Sequence, residues 1–102
     1  MFTTKKLNNH INNFLLELKE SNFHIKKVIL FGSYANGKVH ENSDIDLAIW
    51  ADEFDQNEDN VSKIRSEIAK HYPIQPILYN SNENDDPFMD IINKTGREII
   101  LN

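Results

Sequence analysis

Residues 31–50 read FGSYANGKVHENSDIDLAIW, and the punctuation of that stretch decides the fold. The apolar run Val28-Ile29-Leu30-Phe31 stops at Gly32-Ser33, a polar loop runs from Tyr34 to Ser43, and a second run opens with two acids one residue apart, Asp44-Ile45-Asp46-Leu47-Ala48-Ile49-Trp50. Residues 26–31 are too short and too uniformly apolar for a surface helix and read as a buried strand. Residues 44–50 alternate, with Ile45, Leu47 and Ile49 on one face and Asp44, Asp46, Ala48 and Trp50 on the other, which is the period of a second strand. Two strands with a glycine–serine turn at one inner end and two acids at the other form the frame to which the remaining elements attach.

Working outward, Leu7, Ile11, Phe14, Leu15 and Leu18 form one stripe of an amphipathic helix over residues 4–20. On the other side, Asp55-Gln56-Asn57-Glu58 has the spacing of a capping box. Val61, Ile64, Ile68 and Tyr72 continue as a second helical stripe, which Pro73 stops. Ile74 to Tyr79 reads as a third strand, and Pro76 within it favours an edge position or a bulge. A polar turn follows from Asn80 to Asp86. Residues 87–95 are expected to form a last helix, with Pro87 in its first turn and Gly96 at its C-terminal cap. Ile99-Ile100-Leu101 is a candidate closing strand. The order α-β-α-β-α-β-α describes an α/β (α+β) chain: a small mixed β-sheet covered by helices.

At 102 residues the chain is expected to be one domain spanning 1–102, and 39% apolar residues supply a modest core. The net charge of −5 argues against unaided binding of long nucleic acids, which needs a basic surface. A single metal-bound nucleotide needs no such surface, because the ion brings the positive charge. The absence of cysteine excludes disulfides, thiolate metal sites and thiol nucleophiles. No run approaches the roughly 20 apolar residues of a membrane span, and no apolar leader opens the chain, so a cytoplasmic location is expected.

The acids and the glycine carry the chemistry. Positions i and i+2 of a strand project from one face about 7 Å apart. Two carboxylates leaning together to about 5 Å repel by about 3 kcal/mol at an effective dielectric of 20. Magnesium, with its preference for oxygen ligands and its retained water and phosphate, removes that cost. Taken alone, Asp-Ile-Asp is better explained by two solvated acids on an exposed sheet face. A glycine lets backbone approach a phosphate, Ser33 adds a hydroxyl, and a short helix from Ser33 would direct free N–H groups at the same anion. An isolated Gly-Ser is an ordinary turn; strand, Gly-Ser, loop and Ser-Asp-x-Asp strand together are far more specific.

The stretch GSYANGKVHENSDIDLAI resembles the signature of minimal nucleotidyltransferases of the DNA polymerase beta superfamily: Gly-Ser, ten residues, Asp-x-Asp. Ala35, Gly37 and Ser43 agree with it too, and Ile74-Gln75-Pro76 and the segment from Pro87 to Gly96 look like the end of related small proteins. The resemblance implies the polymerase beta catalytic-core fold and a nucleotide, expected to be ATP, whose β and γ phosphates meet Gly32 and Ser33. It implies two Mg2+ ions on Asp44 and Asp46, and transfer of AMP to a hydroxyl with loss of pyrophosphate. It also implies a helical HEPN-domain partner, often in a toxin–antitoxin pair. The family's third carboxylate, on the following strand, corresponds to Gln75, which is neutral and accepts no proton. The alternative is therefore a catalytically weakened module that binds nucleotide or partner. Asn36 stands where relatives often carry a basic residue.

Rival patterns fail on single residues. Gly32 to Lys38 nearly spells a P-loop, but Val39 replaces the hydroxyl that would hold magnesium. Asp55-x-Asn57-x-Asp59 imitates a calcium loop, but Asn60 replaces its glycine and Ser66 its closing glutamate. His10, His24, His40 and His71 share no metal spacing; Lys38, Lys63 and Arg65 read as solvated cations.

Overall fold

The computed structural model describes residues 2–39, 43–55, 59–84 and 86–101. Helix α1 (Thr4–Glu20) opens with the Thr3 hydroxyl accepting the Lys6 N–H at 3.2 Å and buries Leu7, Ile11, Phe14 and Leu18. It ends where Asn22 takes φ +70°. There the Asn22 N–H reaches Lys19 O at 3.0 Å and the Phe23 N–H reaches Leu18 O at 3.1 Å, a left-handed cap that leaves Phe23 packed beside Leu18. Strand β1 (Ile25–Phe31), the short helix α2 (Ser33–Asn36) and strand β2 (Ile45–Ala51) follow.

The third helix departs from its expected regularity. Helix α3 (Asp59–Lys63) passes into a π-helical turn (Ile64–Ile68) and a 3-10 turn (Ala69–His71). Of the capping box expected to start it, Asp55 is described, and residues 56–58 lie outside the described residues. Strand β3 (Ile74–Asn80), helix α4 (Pro87–Thr95) and strand β4 (Arg97–Glu98) complete the chain. Asp86 caps α4, accepting the Phe88 N–H at 3.0 Å. The Tyr79 hydroxyl donates to the same carboxylate at 3.0 Å; burial first, and then Asp86, push its pKa to about 12.

The four strands run in the order β3-β2-β1-β4, with β2 and β3 parallel and the other pairs antiparallel, so the sheet is mixed as expected. Pro76 does sit on an edge strand, in the parallel register Leu47↔Pro76. The larger core lies on the face holding Val28, Leu30, Ile45, Leu47 and Ile49, packed under α1 and the 59–71 segment. The opposite face, with Ile29, Ala48 and Trp50, is covered by Met89 and Ile92 of α4. Both faces are therefore buried over residues 28–30 of β1 and 47–51 of β2, which is why those stretches run apolar without a polar side. Trp50 is a core residue, stacked on Tyr79 with ring centroids 5.0 Å apart.

The closing strand is not where Ile99-Ile100-Leu101 placed it. Pairing with β1 occurs at Arg97–Glu98, and only the Ile99 N–H, bonded to Val28 O at 2.8 Å, extends it. Ile100 is 87% exposed. The cause is Gly96. Its N–H caps α4 on Ile92 O, and a Cβ there would stand 2.7 Å from Ile92 O and 2.8 Å from Leu30 O. Backbone pressed that tightly against β1 delivers the chain to the sheet one residue after the helix.

Asp52, at the end of β2, ties two neighbours: the Ser81 hydroxyl donates to it at 2.5 Å and Lys26 Nζ lies 3.6 Å away. The Ser81 bond, helped by Lys26 and opposed by desolvation, holds its carboxyl below the usual range. A depressed folded-state pKa contributes stability above the unfolded value, near pH 4, and loses it as pH falls through the folded value. Asp52→Asn is therefore expected to flatten the fall of Tm between about pH 5 and pH 3, measured by thermal melts.

Candidate active site

The site forms where β1 ends. Gly32 takes φ +71° and ψ −150°, a conformation nearly confined to glycine. Its carbonyl accepts the N–H groups of Ala35 at 3.0 Å and Asn36 at 3.1 Å, so α2 is closed on Gly32. The first N–H groups of such a turn have no partner within it. Gly37, at φ +79°, ends the turn with its N–H on Ser33 O at 3.0 Å. The turn is anchored from below by Tyr34, which is buried, accepts the Phe2 N–H at 3.2 Å, and offers its carbonyl to Arg97 Nη2 at 3.4 Å. Asn36 has a local role: its Oδ1 accepts the Lys38 N–H at 2.9 Å. His40 lies outside the described residues.

Strand β2 brings the acids to this turn. Its start is pinned by the Ile45 N–H on Pro73 O at 2.9 Å, which places Asp44 just ahead of the strand, exposed, and Asp46 one residue into it. Asp46 is flanked on both sides, by Phe31 of β1 and by Gln75 of β3. Its carboxylate lies against the Gly32 backbone so closely that a Cβ on Gly32 would collide with Asp46 Oδ2. Burial, and secondly the charge of Asp44, raise the Asp46 pKa. Gly32, Asp44, Asp46 and Gln75 thus converge. Ser33 follows as the first residue of α2, half-buried, and among the described residues no hydrogen bond joins it to either acid.

The neighbours of Asp46 in the fold include a second carboxylate, Asp44, and the carboxamide of Gln75, all hard oxygen groups. No group of three or more His, Cys, Asp or Glu that could hold a metal occurs among the described residues. Such a set suits magnesium, which takes one or two carboxylates and completes its shell with water and substrate phosphate. Burial first, and the Asp44 charge second, disfavour the ionised form of Asp46, a cost that a bound cation would offset.

The polymerase beta nucleotidyltransferase domain model matches residues 11–102. The chain belongs to that family. It is 34% identical over 79 residues to a putative protein adenylyltransferase of Methanocaldococcus jannaschii, covering 74% of this chain and 79% of that one. Its backbone is similar to that of a crystal structure of a toxin–antitoxin with AMP-PNP, with TM-score 0.57 and 25% identity over 84% of this chain and 69% of the other. The mixed α+β sheet is consistent with the nucleotidyltransferase fold. No helix among the described residues is long and apolar enough to cross a membrane.

What the sequence missed is positional. The contact between Gly32 and Asp46 needs the pairing of Phe31 with Asp46, which spacing does not specify. Tyr34 lies inside the Gly-Ser stretch, and its role in holding the turn down depends on Phe2, far away in sequence.

Proposed function

We propose that the chain transfers AMP from ATP to a hydroxyl of a protein, with magnesium held by Asp44 and Asp46. The observation that supports this is the contact of the Asp46 carboxylate with the Gly32 backbone, which sets an acid able to hold magnesium beside a turn able to accept a phosphate. Gly32, lacking Cβ, lets the phosphates approach, and Ser33 contributes a hydroxyl and an N–H. The acceptor oxygen forms a bond to the α phosphorus, the bond to pyrophosphate breaks, and the hydroxyl proton leaves to solvent. When bound, the magnesium ions neutralise the phosphate charge and stabilise the attacking and leaving oxygens. The relative named for protein adenylylation and the neighbour crystallised with AMP-PNP support adenine and a protein acceptor. That neighbour also supports a partner protein, which we take to be an all-helical HEPN protein in a toxin–antitoxin pair.

The test is incubation with ATP labelled in the α phosphate, magnesium and a co-expressed helical partner. Label on the partner with equimolar pyrophosphate supports the reading; saturable ATP binding without pyrophosphate release refutes transfer.

The register Asp46↔Gln75 favours a second reading, in which the nucleotide is held and transfer is slow. A carboxamide at that place cannot take the acceptor's proton. Gln75→Glu is expected to raise turnover by about tenfold or more, since general-base assistance contributes about 10²–10⁴. An unchanged rate in a folded variant would dismiss Gln75 as the brake.

A further inference from the structure

On the flank of β2 away from Gly32, a cleft of about 470 Å³ is bounded by Asp44, Gln75 and Pro76 on one side and by Arg65, Lys70 and Tyr72 on the other. Its two cations are five residues apart. In a regular α-helix that spacing turns side chains about 140° away from each other. The π turn removes the divergence: the Ala69 N–H bonds to Ile64 O, a five-residue step, so residues five apart come onto one side. Arg65 and Lys70 consequently share the cleft, and among the described residues neither is in an ion pair with a carboxylate.

Strand order decides which substrate meets them. Phe31, leading into Gly32, flanks Asp46 on the β1 side, and Gln75 flanks it on the β3 side. A triphosphate seated at Gly32-Ser33 leaves the β3 side to the acceptor. The positive field there is local. The Tyr72 hydroxyl has its pKa raised by burial and then by Glu17 and Glu20, so acids stand just beyond the cleft, and the whole chain carries −5. A long polyanion needs a track of cations; one acid-flanked hydroxyl needs only a pair.

Resting on the transfer reading above, we infer that the Arg65–Lys70 cleft selects the acceptor: a protein segment whose hydroxyl-bearing residue is flanked by Asp or Glu. Charge-assisted contacts to the flanking carboxylates position the hydroxyl beside Asp44 and Asp46, and the neutral Gln75 adds no further carboxylate to the wall that Asp44 already lines.

The test uses the full chain with Mg-AMP-PNP and three fluorescent peptides, each carrying one tyrosine flanked by Glu, Gln or Lys. Anisotropy should show the Glu-flanked peptide binding about tenfold more tightly than the Gln-flanked one, the effect of two partly exposed charge pairs. Arg65→Glu with Lys70→Glu should reverse the preference toward the Lys-flanked peptide and leave Mg-AMP-PNP affinity within about twofold. Should the reversal variant fold poorly, Arg65→Gln with Lys70→Gln should bring the three affinities together. Asp46→Asn, tested with its magnesium contact removed, should keep the peptide preference. A wild-type chain that shows this preference but releases no pyrophosphate from ATP therefore counts against the transfer reading alone. Equal binding of the three peptides, loss of nucleotide affinity on charge reversal, or a short RNA with a free 3′ hydroxyl outbinding the Glu-flanked peptide at about 0.15 M salt would overturn the cleft assignment.

Discussion

Asp46→Asn is expected to lower the rate of label transfer from ATP by at least about a hundredfold, the scale on which losing one preorganised electrostatic group acts. Asparagine keeps the shape and one oxygen but gives up the charge that would hold magnesium beside Gly32. Stability should move the other way. Burial and the Asp44 charge raise the folded-state pKa of Asp46. A carboxyl raised in this way weakens the fold once pH exceeds its unfolded value, and the cost is relieved as pH falls through the folded value. At pH 7 the variant should therefore melt at or above the wild-type temperature, and the difference should vanish near pH 3. A variant that transfers within about threefold of wild type would show that Asp46 does not hold the metal.

Gly32→Ala is the substitution with the largest expected effect on the fold. Two independent costs meet there. The φ/ψ pair of +71° and −150° costs a residue bearing Cβ about 1–3 kcal/mol, and the added carbon would collide with Asp46 Oδ2. The site relaxes only by pushing the carboxylate or the turn away, which dismantles the contact on which the proposed chemistry depends. A fall in Tm of at least about 8 °C is expected, from roughly 2 kcal/mol at 4–8 °C per kcal/mol. Nucleotide affinity should be lost even at temperatures where the variant is folded. Calorimetry with Mg-AMP-PNP and a thermal melt measure both, and an alanine variant with unchanged Tm and affinity would remove Gly32 from the site.

The parts legible beforehand are those in which local pattern and tertiary demand agree. The α1 stripe of Leu7, Ile11, Phe14 and Leu18 is the helix's buried face, and the alternation of Ile45, Leu47 and Ile49 is the larger core's floor. Pro76 marked an edge because its missing N–H excludes it from a central ladder. Gln75 pairs with Asp46 across β3 and β2, a register that spacing alone does not specify. Other features had no local signal. Val61, Ile64, Ile68 and Tyr72 are spaced as a regular helix would have them, so nothing marked the π turn, or that it would carry Arg65 and Lys70 to one side. The apolar triplet 99–101 looked like a strand, yet pairing was decided by Gly96 pressing on Leu30. These are consequences of long-range packing, which overrides propensity wherever the two conflict.

The position of Pro76 bears on how the molecule behaves at high concentration. β3 is an open border of the sheet, and its sequence Ile74-Gln-Pro-Ile-Leu-Tyr79 would, without the proline, be an uncharged, β-prone hexapeptide of the kind that seeds fibrils. A ring in place of an N–H interrupts the row of donors that another chain would need to zip onto this border. The rim beside the Asp44–Asp46 pair is thereby kept from recruiting stray strands, and any protein docking there would have to be gripped by its side chains.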